Sequence, residues 1–130
     1  MNFPSELKYT KDHEWAKAEG PNHVIVGVTD HAQSALGDVV FCELPKAGRE
    51  LKEHETFGVV ESIKAVSDLY SPIAGKVVES NTALVDNPSQ VNSDPYGAAW
   101  MVKLEVADSG ASLAGLMDAA AYTAYVKSLS

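Results

Sequence analysis

The chain has 130 residues, 45% of them hydrophobic, with 10 basic against 18 acidic side chains and a formal net charge of -8. That length holds one core-bearing unit rather than a catalytic domain joined to a separate binding domain, so residues 1–130 are read as a single domain. The acidic balance argues against nucleic-acid binding, the lone Cys42 excludes a disulfide framework or a dithiol redox centre within the chain, and no apolar run approaches a membrane span.

Taken in chain order, the segment Met1–Glu6 has neither a basic stretch followed by an apolar one nor an Arg-rich amphipathic pattern. The expectation is a soluble intracellular protein, in a bacterial cytoplasm or, after removal of a transit peptide, in the mitochondrial matrix. Strand signals begin at Glu14-Trp15-Ala16-Lys17, are cut by Gly20-Pro21-Asn22, and resume over His23–Val28. Thr29 or Asp30 is placed to cap a short helix over His31–Leu36, with Gly37 where a left-handed stop is needed. A further strand runs over Asp38–Leu44 and ends at Pro45.

Thr56–Val60 and Val66–Tyr70 are short β-branched and aromatic runs that read as a hairpin, with Ser71-Pro72 closing the second strand. The connection Ser62-Ile63-Lys64-Ala65 is short enough for a tight turn but lacks an Asn-Gly or Asp-Gly pair. Gly37-Asp38-Val39-Val40 is echoed by Gly75-Lys76-Val77-Val78, with Lys64 between the copies. Two similar half-sheets joined through that hairpin give a mainly β fold, a flattened barrel or sandwich (a barrel-sandwich hybrid) over about residues 7–106. From about 109 to 129 the composition turns to alanine and leucine, predicting helices over Ala111–Leu116 and Ala119–Leu129. Leu116, Ala120, Tyr122, Thr123, Tyr125, Val126 and Leu129 supply the spacing of a face packed on the sheet.

The chemistry open to these residues is narrow. His13, His23, His31 and His54 stand in separate segments without paired ligand spacing, so no metal site is expected. Ser62 beside Glu61 lacks the Gly-x-Ser-x-Gly elbow of a hydrolase, and no glycine-rich phosphate loop is present. Lys64 is one of nine lysines, and the plain reading of it is a solvated side chain. Its alternative is a chemical handle. A Schiff-base lysine needs burial or neighbouring cations, whereas Glu61 and Asp68 favour the protonated amine. A lysine acylated by another enzyme makes no such demand, and lipoamide and biotin arms are attached in that way.

Glu61–Asp68 followed by Ser71-Pro72-Ile73-Ala74-Gly75 resembles the lipoyl-lysine segment of the H protein family of the glycine cleavage system. His13-Glu14-Trp15, Gly27–Gln33, Leu36-Gly37-Asp38, Asn92–Gly97 and Trp100-Met101 are similar to that family as well, so the likeness runs from about Leu7 to Tyr125. The resemblance implies a non-catalytic carrier with lipoate in amide linkage to Lys64, and Glu61, Ser62, Ile63, Ala65 and Asp68 as the marks read by the lipoate-attaching enzyme. It implies a shuttle that takes an aminomethyl group from a pyridoxal-phosphate glycine decarboxylase (P protein) to a tetrahydrofolate-dependent aminomethyltransferase (T protein). Reoxidation by dihydrolipoamide dehydrogenase (L protein) completes the cycle. A shelter for the loaded arm beside the amino-terminal strand is implied too, with Glu14, His31 and Asp68 as the residues expected to meet its amine. Trp100 is expected to serve packing and is not assigned to the site. A lipoyl donor or relay protein would carry the same lysine. A biotin carrier is the lesser alternative, because Ile63 and Ala65 stand where methionines would flank its lysine.

Overall fold

The computed structural model describes residues 1–129, and within them the backbone forms two sheets with short helices at their margins. The larger sheet has six strands in the order β1 (Lys8–Tyr9), β2 (Glu14–Ala18), β3 (His23–Val28), β9 (Val102–Glu105), β8 (Gly75–Ser80) and β5 (Glu50–Leu51). The smaller sheet has three: β4 (Val39–Glu43), β6 (Thr56–Ser62) and β7 (Val66–Tyr70). All the pairings are antiparallel. The barrel-sandwich architecture read from the sequence is the one found, with the two sheets unequal in strand number. The echoed Gly-x-Val-Val segments open β4 in one sheet and β8 in the other.

Packing follows from alternation. Along β2, Trp15 and Ala16 point to opposite faces, so the strand contributes to two apolar clusters. Ala16 joins Val24, Val26, Val60, Leu69, Val77 and Leu104 in the core. Trp15 joins Leu7, Tyr9 and Tyr122 on the outer side. There α5 (Ala119–Ser128) covers the sheet, and the Tyr9 and Tyr122 rings stack with centroids 4.6 Å apart and an interplanar angle of 5°. A pair of that geometry contributes about 0.5–1.5 kcal/mol beyond its buried area.

Several expectations are adjusted. Ala120 and Leu129 face solvent, and Tyr122 is the deeply buried member of α5, because the face that meets the sheet is set by its stack on Tyr9. The helix before it, α4, spans Ser109–Leu113, starting earlier than composition suggested because Asp108 caps it through the Gly110 and Ala111 N–H groups. Two short helices, α2 (Thr82–Asp86) and α3 (Gln90–Ser93), interrupt a stretch read as strands. Too short to show helical periodicity, they are defined by their burial of Leu84 and Val91.

Candidate functional site

The β6–β7 hairpin ends in a turn built around one hydroxyl. Ser62 Oγ accepts from the N–H of Lys64 (3.3 Å) and of Ala65 (3.1 Å), and the Ser62 N–H donates to the Ala65 carbonyl at 2.8 Å. The serine thereby does what an Asn-Gly pair would have done, and its oxygen is engaged in the turn rather than with a base. The Ile63 N–H donates to the Asp38 carbonyl at 3.2 Å, tying the tip to the segment before β4. That segment is itself fixed from α3. Asn92 accepts from the Val39 N–H (2.9 Å) and donates to the Gly37 carbonyl (2.8 Å) and to Gln33 Oε1 (3.1 Å).

On this base Lys64 is exposed, and among the described residues its amine makes no hydrogen bond or ion pair. Its stem crosses Gly37, the residue that stops α1 (Asp30–Leu36) at φ +77°; a Cβ there would stand 3.4 Å from Lys64 Cε. Gly37 thus serves a left-handed backbone and the passage of the lysine together. Directly paired residues share a face, so Phe41, Glu61 and Val66 form one outward row, and Glu43, Val59 and Asp68 the next. Ile63 and Val66 are 73% and 68% exposed, an unusual degree for such residues flanking one lysine.

Beside the hairpin lies a groove of about 310 Å³. Val28, Ala32, Leu36, Val66 and Leu69 make it largely apolar, while Asp12, His13, Glu14 and Asp68 supply polar groups. Glu14 is only 2% exposed, on the inward face of β2. Its carboxyl bridges the two sheets, accepting from Thr10 Oγ1 at 3.1 Å and from the Tyr70 N–H of β7 at 3.2 Å. Among the described residues no cation faces it, so burial pushes its pKa up to about 8, against the opposing pull of the Tyr70 hydrogen bond. At neutral pH it is held largely as the acid.

The structure brings Glu14 and Asp68 together in the groove and sets Glu61, Ser62, Ile63 and Ala65 around Lys64. His31 is not among the lining residues. Its ring packs 4.4 Å from that of His13, with a buried Nδ1 that lacks a hydrogen-bond partner among the described residues. His13 lines the groove instead, and Asp12 and Asn92 join the arrangement without having been singled out for it. The alternating strand pattern around Glu14 offered a signal for an inward carboxyl. Nothing local signalled His13, whose place depends on contacts with α1 and α5. Cys42 is buried, and that burial pushes its thiol pKa up to about 11, away from the thiolate form. Trp100 is half-buried against the Trp15–Tyr122 cluster, in a packing position.

A barrel-sandwich scaffold with one lysine, unpartnered among the described residues, on a pinned turn beside a mostly apolar groove is the class of fold and site that these residues define. Comparison with known proteins gives the particular family. The glycine cleavage H-protein family profile matches residues 7–129. The glycine cleavage system H protein of Myxococcus xanthus is 59% identical over 97% of this chain and 96% of its own length. That of Symbiobacterium thermophilum is 59% identical over 97% of both. A crystal structure of the H protein from Mycobacterium marinum superposes with a TM-score of 0.87 at 40% identity, covering 96% of this chain and 99% of the other. The chain belongs to the glycine cleavage H-protein family.

Proposed function

We propose that this protein is the lipoyl-bearing shuttle of a glycine cleavage system, with lipoate in amide linkage to Lys64 and no catalysis of its own. The observation that carries the reading is the free Lys64 amine on a turn fixed by Ser62, Asp38 and, through the Gly37–Val39 segment, Asn92. The residues fit the group. Apolar Val66, Leu36, Ala32 and Val28 suit an aliphatic chain starting from the hairpin, and Asp12 and Asp68 suit a cation at its far end, whose arrival would draw the buried Glu14 carboxyl into its ionised form. When bound, lipoate supplies a dithiolane that accepts a one-carbon group with its amine, gives it up, and is reoxidised.

The chain's own residues have separate tasks in this reading. The Ser62 turn fixes the root of the arm, so the ordering cost of docking falls on the arm and not on the scaffold. A short flexible tether gives effective concentrations on the order of millimolar at a docked site, so weak contacts with each partner suffice. Glu61, Ser62, Ile63, Ala65 and Asp68 are the marks offered to the lipoate-attaching enzyme. Glu14 and Asp68 with His31 behind them form the shelter, and the partners are glycine decarboxylase, aminomethyltransferase and dihydrolipoamide dehydrogenase.

Replacement of Lys64 by Arg keeps the charge and removes the acylable amine. Intact mass after expression with lipoate is expected to show a lipoyl-sized adduct on the wild type and none on Lys64→Arg. Glycine-dependent release of carbon dioxide with the partner enzymes is expected to vanish in the variant, and undiminished release would sink the proposal. A wild type that is lipoylated yet supports no such release would point to the relay role; a biotin-sized adduct would point to the biotin carrier.

A further inference from the structure

We propose that the C-terminal helix sets the charge of the groove: Tyr122 is a positioning residue that locks His13 as a neutral imidazole carrying its hydrogen on Nε2. The consequence for function, that the groove stays free of a competing cation and receives a cationic amine, rests on the carrier reading above. The tautomer itself does not.

The lock follows from counting hydrogens along a buried chain. Thr29 caps α1, its Oγ1 accepting from the Ala32 N–H at 3.2 Å, and the residue is fully buried. Its own hydroxyl hydrogen has one acceptor among the described residues, Tyr122 Oη at 2.7 Å. Tyr122 Oη therefore receives from Thr29 and sends its single hydrogen to its other partner, His13 Nδ1 at 2.8 Å. An acceptor at Nδ1 means a neutral ring with the hydrogen on Nε2. Protonating His13 would put a hydrogen on Nδ1, turn the Tyr122 hydroxyl towards Thr29, and strand the Thr29 hydrogen in the core with no acceptor. The direction of the relay thus opposes the charged ring.

The surroundings are built to hold this state. His13 sits at φ +67°, in the left-handed region that non-glycine residues seldom occupy. The backbone there is fixed by the His13 N–H donating to the Thr10 carbonyl at 3.1 Å and the Thr29 N–H donating to the His13 carbonyl at 3.0 Å. Tyr122 in turn is pinned by its stack on Tyr9 and by Phe3, whose ring meets it edge-on at 4.9 Å. The titratable groups facing His13 are Asp12 and Glu14 on its own segment, His31 on α1, Asp68 across the groove, and Tyr122 and Tyr125 on α5. Burial and the neighbouring His31 lower the His13 pKa, and Asp12 acts against them. An imidazolium at this place would compete with an incoming amine for Asp68 and for Glu14, whose carboxyl a neighbouring cation draws into its ionised form.

Long-range proton–nitrogen NMR on the unmodified full chain tests the lock. At pH 7 His13 is expected to show a hydrogen on Nε2 alone, and a hydrogen on Nδ1 overturns the proposal whatever any variant does. Tyr122→Phe keeps the ring and deletes the hydroxyl. It is expected to mix the two tautomers and move the His13 midpoint up towards the ordinary 6.5, and an unchanged midpoint counts against the lock. If that variant fails to fold, the wild-type spectrum decides alone. In the lipoylated protein the same variant is expected to lose its cationic cargo to water severalfold faster at pH 6 than the wild type does. Equal loss overturns the functional half. Absence of a lipoyl adduct would sink the carrier reading while leaving the NMR result standing.

Discussion

The tip that carries Lys64 and the wall that carries Glu14 and His13 face one groove, and they are built in opposite ways. At the tip the backbone is over-determined and the side chain is free: Ser62 and Asp38 fix the turn while the amine has no partner among the described residues. In the wall the side chains are the fixed part. Glu14 is held by Thr10 and Tyr70, and His13 by Tyr122. The difference teaches that a swinging group needs its root immobile and its end unattached, while the buried Glu14 and His13 of the wall are held by partners within the fold, since unpaired buried groups cost stability.

The largest expected effect strikes the wall. Because the folded-state pKa of Glu14 is raised, the native chain holds that proton where the unfolded chain has lost it. Stability is therefore fully present below the unfolded value near 4.5 and is lost as pH rises to about 8. Denaturant unfolding is expected to show a loss on the order of a few kcal/mol over that range. Glu14→Gln should flatten the profile; an equally steep profile in the variant would show that another group is responsible. Next comes the buttress under the tip. Asn92→Ala strips the Val39 N–H and the Gly37 carbonyl of their partner, and a loss of about 2–3 kcal/mol is expected by thermal or chemical unfolding. A loss below about 0.5 kcal/mol would mean that the tip does not depend on α3. Smallest in stability is Ile63→Ser, at 73% exposure, with a change within about 0.5 kcal/mol. If Ile63 is a recognition mark, the same change should slow lipoate attachment measured by intact mass. Unaltered attachment would reduce Ile63 to an ordinary surface residue.

The tip was legible in the sequence and most of the wall was not. Lys64 could be placed because strand runs, a short connection and Ser71-Pro72 lie within one local stretch. The helix beginning after Thr29 was readable for the same reason, from a cap and a stop that bound an element of seven residues. His13 and Tyr122 meet across 109 positions, and Glu14 and Tyr70 across 56, so no window of sequence contains either pair. Asn92 reaches Val39 across 53 positions from a helix of four residues, too short to announce itself.

The sequence by itself determined the alternation that makes two sheets, the hairpin that ends at one lysine and, through likeness along the chain, the family. Those are consequences of local backbone preference and of periodicity, which neighbouring residues settle among themselves. Only the tertiary structure decided that Glu14 is buried, that His13 rather than His31 lines the groove, and that the last helix reaches the first cap through one phenol. Desolvation and the pairing of hydroxyl hydrogens depend on what surrounds an atom in space, and that is fixed only when distant segments close around it.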